Sequence, residues 1–324
     1  MNRLKYWIFT ILFTGLLAAC SDDDDFSDTI LDTTPEPLTE TDVWIMENFT
    51  QSHNIDVIYK WRDFETNQEL NLVPPSEDRV IPFLDVIRRV WMEPYIKLGG
   101  ISFFNKTAPK QLMLVGSAGY LEDGLYLLGE AEQGNRITVY SINNSDPYEE
   151  GMLLRNTNTF HHEYVHILHQ LEKYPPAFEE ISAMDYTTNW AAISDPYQLG
   201  FVSNYAAADA NEDFAETVAK FIMMDEENWQ GMFLYPDSEE ARKKLKEKET
   251  IMLQYMKNVW GIDMHQLRKL VQDEIAKILK EGKQDNEEEQ FRSLRGRYVV
   301  TEHEYVPSRV RAYLAPVVNI AAAI

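Results

Sequence analysis

Beyond residue 142 the sequence shows no further strand pattern. Upstream, β-branched and aromatic residues gather in short runs at 55–61, 111–115, 124–128 and 136–142. After the loop Asn143-Asn144-Ser145-Asp146-Pro147, apolar residues recur at helical spacing almost without a break to about Lys280. A chain ordered in this way is expected to be α+β: a small mixed β-sheet followed by a mainly helical half.

Two helices interrupt the β-leaning part. Residues 43–49 read as a short helix with Thr41 or Asp42 as its cap. Residues 80–98 read as a longer one through Ile81, Leu84, Ile87, Val90, Trp91 and Tyr95. Pro82 suits its first turn, Pro94 kinks or ends it, and Gly99-Gly100 stops it. The polar, acidic stretch 282–290 reads as a linker or exposed loop, and 281–324 as a C-terminal segment with no assigned structure. No internal repeat is visible.

The N-terminus has its own logic. Residues 1–19 join a short basic region, Arg3 and Lys5, to an apolar stretch too short for an ordinary membrane span, ending in small residues, as export signals do. Leu17-Ala18-Ala19-Cys20 resembles the lipobox of bacterial lipoproteins, in which the Cys is lipidated and begins the mature chain. Cys20 is also the only cysteine of 324 residues, so neither an intramolecular disulfide nor a thiolate zinc cluster is available. Asp22-Asp23-Asp24-Asp25 follows, resembling the surface-export signals of Bacteroidetes lipoproteins, and 20–41 reads as an acidic flexible tether. The expected product is an exported lipoprotein on the outer membrane, at the cell surface, touching the membrane through its lipid alone.

Charge narrows the function classes. The chain has 53 acidic against 30 basic residues, a net charge of −23, which becomes −25 when Arg3 and Lys5 leave with the signal. Nucleic acid is thereby excluded as the expected partner, since phosphate contacts need a surplus of Lys and Arg. With 44% hydrophobic residues, the body can bury a sizeable core.

His162-Glu163-Tyr164-Val165-His166 is H-E-x-x-H. Histidines four apart lie one turn apart on one helix face, so both imidazoles can reach one metal ion. Glu163 projects from an adjacent direction, where it can take a proton from a water on that metal. Phe160, Tyr164, Ile167, Leu168 and Leu171 can face a core. A third ligand has to come from elsewhere, and zinc then keeps a fourth position for water and substrate.

The helix expected from about residue 211, with Asp209 or Asn211 at its cap, presents Glu212 and Glu216 on one face. One carboxylate can bind the metal while the other receives a hydrogen bond from a ligand imidazole. Which does which stays open between Glu212 and Glu216. His169, one turn beyond His166, is a further rival for the third position, whereas His161 points off the metal face. His53, His265 and His303 have no partner at ligand spacing.

H-E-x-x-H followed by Glu212-Asp213-Phe214-Ala215-Glu216 resembles the gluzincin metallopeptidases, and the local match is nearest to the anthrax lethal factor type of catalytic domain. With the lipobox, the whole is similar to the zinc-binding metallopeptidase lipoproteins of Bacteroidetes. The resemblance implies a zincin-like domain over 42–280 and one zinc on His162, His166 and Glu212, with Glu163 as general base and Glu216 beside the ligands. It also implies that Tyr205, seven residues before Glu212, aids catalysis. Its expected substrate is a peptide or glycoprotein, in the setting of a surface glycan-uptake complex. The alternative is a non-catalytic surface lipoprotein that captures glycan or glycoprotein and retains a zinc site, with Trp190, Trp229 and Tyr235 as an aromatic platform.

Overall fold

The strands form two sheets. In a computed structural model, which describes residues 37–61, 63–120, 126–127, 129–132 and 135–296, β1 (Asp56–Ile58), β2 (Gln111–Leu114), β6 (Arg136–Val139) and β5 (Gly129–Glu132) lie side by side in the order β1-β2-β6-β5. The first three are parallel and β5 runs antiparallel to β6. β3 (Gly119–Tyr120) and β4 (Tyr126–Leu127) make a separate two-stranded pair. The expected export signal, Cys20, the acidic run, His303 and residues 297–324 lie outside the described residues. The chain divides between Thr39 and Glu40, and the domain that starts at Glu40 carries everything below.

The sheet corrects one expectation about β6. From its place in the chain just before the motif helix, the strand at 136–142 is a candidate edge along which an extended peptide could pair. In the structure β6 is internal, between β2 and β5. Among the described residues the edges are β1 and β5, and the Gly-Glu-Ala-Glu sequence of β5 has none of the β-branched or aromatic side chains of a usual strand. Gly129 starts it for a steric reason: a Cβ there would lie 2.2 Å from Thr159 Cγ2. Only glycine lets β5 approach the motif helix one turn before His162.

Eight helices of the described residues frame the sheet, besides short 3₁₀ turns and a five-residue helix at Ala177–Ile181. They are α1 (residues 40–53), α2 (77–99), α3 (Ile101–Thr107), α4 (Glu150–Leu171), α5 (Ala210–Met223), α6 (Glu226–Leu234), α7 (Glu239–Trp260) and α8 (Met264–Gly296). α2 has a π-helical turn at Arg88–Met92 just before Pro94. A helical N–H at position 94 would take the Val90 carbonyl, and proline has none. The buried ring of His161 lies near the Val90 backbone at this point, and the π-helical turn changes the hydrogen-bond register just before the proline. Gly100, at φ +83°, ends α2 in a conformation that L side chains avoid.

α4 is the central element. Glu149 caps it, accepting from the N–H groups of Gly151 and Met152 at 2.9 and 2.8 Å. Pro175-Pro176 lies just past its end, where extended backbone is favoured. Its inner face enters an aromatic cluster: Trp91 lies 5.3 Å from Phe160 and 5.4 Å from Tyr164, and Tyr95 lies 4.8 Å from Tyr164 between ring centroids. Removing a buried ring of this size costs about 3–5 kcal/mol, so this cluster fixes the rotation of α4 about its axis.

α8 corrects the C-terminal boundary. The stretch 282–290, expected as a linker, continues the helix to Gly296. Its composition is that of a solvated helix face as much as of a loop. Arg89 on α2 reaches Glu281 at 2.7 and 2.9 Å and Glu274 at 2.8 Å, securing α8 up to that point. No helix among the described residues is long and apolar enough to cross a membrane.

Candidate metal centre

Two helices supply the centre. The face of α4 opposite the aromatic cluster carries His162 and His166, and α5 packs across it with Glu212 and Glu216. Asp209 caps α5, its Oδ1 accepting from Asn211 N and Glu212 N at 2.7 and 3.2 Å. Phe214, Val218, Phe221 and Ile222 turn into the core as their spacing predicts. Phe214 stacks on Tyr174 at 4.4 Å, which holds the start of α5 against the segment after α4.

Three atoms converge. His162 Nε2 lies 3.0 Å from His166 Nε2 and 3.0 Å from Glu212 Oε2, and His166 Nε2 lies 3.3 Å from the same oxygen. On the other side of the first ring, His162 Nδ1 sits 2.9 Å from Glu216 Oε1. The carboxylate there fixes the tautomer: Nδ1–H donates to Glu216, which leaves the Nε2 lone pair pointing at His166 and Glu212. Lone pairs aimed at one another around a carboxylate repel unless a cation sits among them. The spacing fits zinc, for which bonds of roughly 2.0–2.1 Å in tetrahedral geometry put ligand atoms about 3.3 Å apart. Among the described residues, His162, His166 and Glu212 are the group able to hold a metal ion.

The electrostatics agree with the geometry. Burial disfavours a charged His162, but the carboxylates of Glu212 and Glu216 outweigh it and hold the imidazole well above its ordinary pKa. Burial raises the pKa of Glu212 and of Glu216, yet both end well below the carboxylate range. The imidazoles of His162 and His166 dominate for Glu212; Lys220 and then His162 do so for Glu216. A site that grips a proton this way offers the same negative charge to a divalent cation.

The other predicted residues fall in distinct places. Glu163 is buried on α4 beside the two histidines. Tyr205 is buried in a 3₁₀ turn, Tyr205–Ala207, with its ring centroid 5.9 Å from that of His162. Trp190 closes on Tyr205 edge-on at 4.9 Å, so the segment before α5 walls one side of the centre with aromatic rings. His161 faces away and meets Tyr95 at 3.3 Å, its pKa lowered to about 3 by burial. His53 bonds Asn105, and His265 packs on Phe221. The proposed aromatic platform does not assemble as expected: Trp229 is a core residue against Phe221 and Phe233. His169 is not one of the three residues of the metal triangle; its Nε2 meets His166 Nδ1 at 3.0 Å. Sequence spacing placed it on the right face but could not show which ring nitrogen it would meet.

A mixed sheet with an H-E-x-x-H helix beneath it and a second helix delivering a glutamate is a zincin-like metallopeptidase arrangement. Residues 34–265 match the family described as "Putative zinc-binding metallo-peptidase", and the chain belongs to this family. A crystal structure of "a putative zinc-binding metallo-peptidase" from Bacteroides caccae is similar to it, at 32% identity and a TM-score of 0.65, covering 75% of this chain and 96% of that one. No curated protein matches the chain.

Proposed function

We propose that this protein is a zinc-dependent peptidase tethered to the outer membrane by a lipid on Cys20 and displayed at the cell surface, where it cleaves peptide or glycoprotein substrates. The observation that carries the reading is the triangle of His162, His166 and Glu212, with the buried Glu163 following His162 in the chain. One zinc ion, held by those three residues, would supply Lewis acidity, lowering the pKa of a water and polarising the scissile carbonyl. Glu163 takes the proton of the attacking water and passes it to the leaving nitrogen. Tyr205, on the resemblance to the lethal factor type, donates its hydroxyl hydrogen to the developing oxyanion. Glu216 keeps His162 in the tautomer that presents Nε2. Among the described residues no strand pairs with the outer edge of β5, and that edge, held close to α4 at Gly129, offers main-chain groups to an extended substrate. The lipobox-like Leu17-Ala18-Ala19-Cys20 and the acidic run after it support the surface location, and work beside a glycan-uptake complex rests on the resemblance to Bacteroidetes lipoproteins alone.

The test pairs binding with turnover. Purified protein should contain one zinc per chain and cleave mixed protein and glycoprotein substrates, with loss on chelation and recovery on zinc addition. Glu163→Gln should keep the zinc and lower turnover by roughly 10²–10⁴-fold. A Glu163→Gln protein that cleaves at the wild-type rate would remove the assigned base. Stoichiometric zinc with no cleavage of any substrate would favour the capture reading.

A further inference from the structure

His169 occupies a place that neither the motif nor the family description assigns. Its Nε2 is 3.0 Å from His166 Nδ1, on the side of that ring away from the nitrogen that joins His162 and Glu212. An imidazole that presents the Nε2 lone pair to a cation carries its proton on Nδ1. The His166 Nδ1–H is therefore the donor and His169 Nε2 the acceptor. His162 meets the same requirement with a carboxylate, Glu216. The two histidines of the motif are thus backed unlike each other, one by an anion and one by a neutral ring.

Two buried carboxylates, Glu212 and Glu216, already face the centre. A third behind His166 would add another charge to desolvate; a neutral acceptor orients the ring without it. His169 is well seated for this task. It is three residues from His166 on the same helix, so the contact is set by the α4 backbone. Its buried ring packs edge-on against Tyr174 at 5.6 Å, and Tyr174 stacks on Phe214 of α5. We propose that His169 is a positioning residue that fixes the tautomer and ring angle of His166 and thereby sets how tightly the centre holds zinc. This rests on His166 being a metal ligand, and not on the protein being a peptidase.

The experiment reads zinc affinity of the full chain by competition with a chromogenic chelator, together with the d–d spectrum of the cobalt-substituted protein. His169→Phe keeps a ring against Tyr174 but removes the acceptor, while His169→Gln restores an acceptor oxygen. The Phe variant should bind zinc about 10–100-fold more weakly and shift the cobalt spectrum, and the Gln variant should recover most of both. Unchanged zinc affinity in His169→Phe overturns the proposal, even if that variant melts lower. Equal loss in both variants also overturns it, because packing and not the hydrogen bond would then be responsible. If His169→Phe does not fold, His169→Gln against His169→Met gives the same contrast. A wild-type protein that holds zinc without cleaving defeats the peptidase reading and leaves this one standing.

Discussion

Two sides of α5 carry acidic residues in the same five-residue run and treat them in opposite ways. Asp213 faces Lys248 of α7 at 2.6 Å, with both side chains fully buried and Tyr186 donating to Asp213 at 3.0 Å. Lys248 also donates to the Gly200 carbonyl at 2.8 Å and lies over the Phe201 ring. There the chain brings its own cation. One residue earlier, Glu212 faces two imidazole nitrogens instead, and Glu216 faces a third. On that side the cation has to come from solution. A buried carboxylate closed by lysine ties helices together, whereas one closed by histidine lone pairs stays chemically unsatisfied, and the second is the one that makes a functional centre.

The contrast can be broken most severely at the metal side. Glu212→Ala should lower zinc affinity by more than the roughly 10–100-fold typical of losing an outer partner. Glu216→Ala should stay within that range, both read by chelator competition. A larger loss for Glu216 than for Glu212 would exchange their roles. On the closed side, Lys248→Met leaves a buried carboxyl with one partner fewer and should cost about 3–5 kcal/mol in urea unfolding. Pairing it with Asp213→Leu should return much of that stability. If Lys248→Met were instead neutral, the pair would not hold α5 to α7.

The pH response sharpens the same comparison in the metal-free protein. His162 has a folded pKa above its ordinary value of roughly 6.5, so its pairing with Glu212 and Glu216 stabilises the fold fully below that value. The stabilisation fades as pH rises through the raised pKa. The two carboxylates act in the opposite sense: their contribution is complete above roughly 4.3 and fades as pH falls toward their depressed values. Chelated protein should therefore melt highest between those limits and lose Tm above neutrality. Zinc-loaded protein should not show that alkaline loss, because the metal replaces the proton on His162. The smallest expected effect is at the cap: Asp209→Ala should cost about 1 kcal/mol of stability and leave zinc stoichiometry at one.

Much of the centre was legible because it is local. Residues four apart on a helix share a face whatever the rest of the chain does, so His162 with His166, and Glu212 with Glu216, follow from the 3.6-residue repeat. Likewise the capping of α5 by Asp209 and the turn at Gly99-Gly100 follow from backbone rules. The β5 edge was not legible, since its four residues lack the β-branched and aromatic side chains that mark a strand and it is specified by pairing with β6 and by the space Gly129 leaves for Thr159. The helix through 282–290 was misread because a solvated helix and a linker share a composition.

By itself, then, the sequence determined the fold class, the metal motif and the pairs of residues that must face one way, because each of these is set by contacts within a turn or two of chain. Tertiary structure alone decided which acid of Glu212-Asp213-Phe214-Ala215-Glu216 meets lysine and which meets histidine, and which nitrogen of His166 meets His169. Those choices depend on how α4, α5 and α7 pack across one another. Lys248 lies 35 residues beyond Asp213, and nothing in the spacing announces that it will be driven into the core beside it.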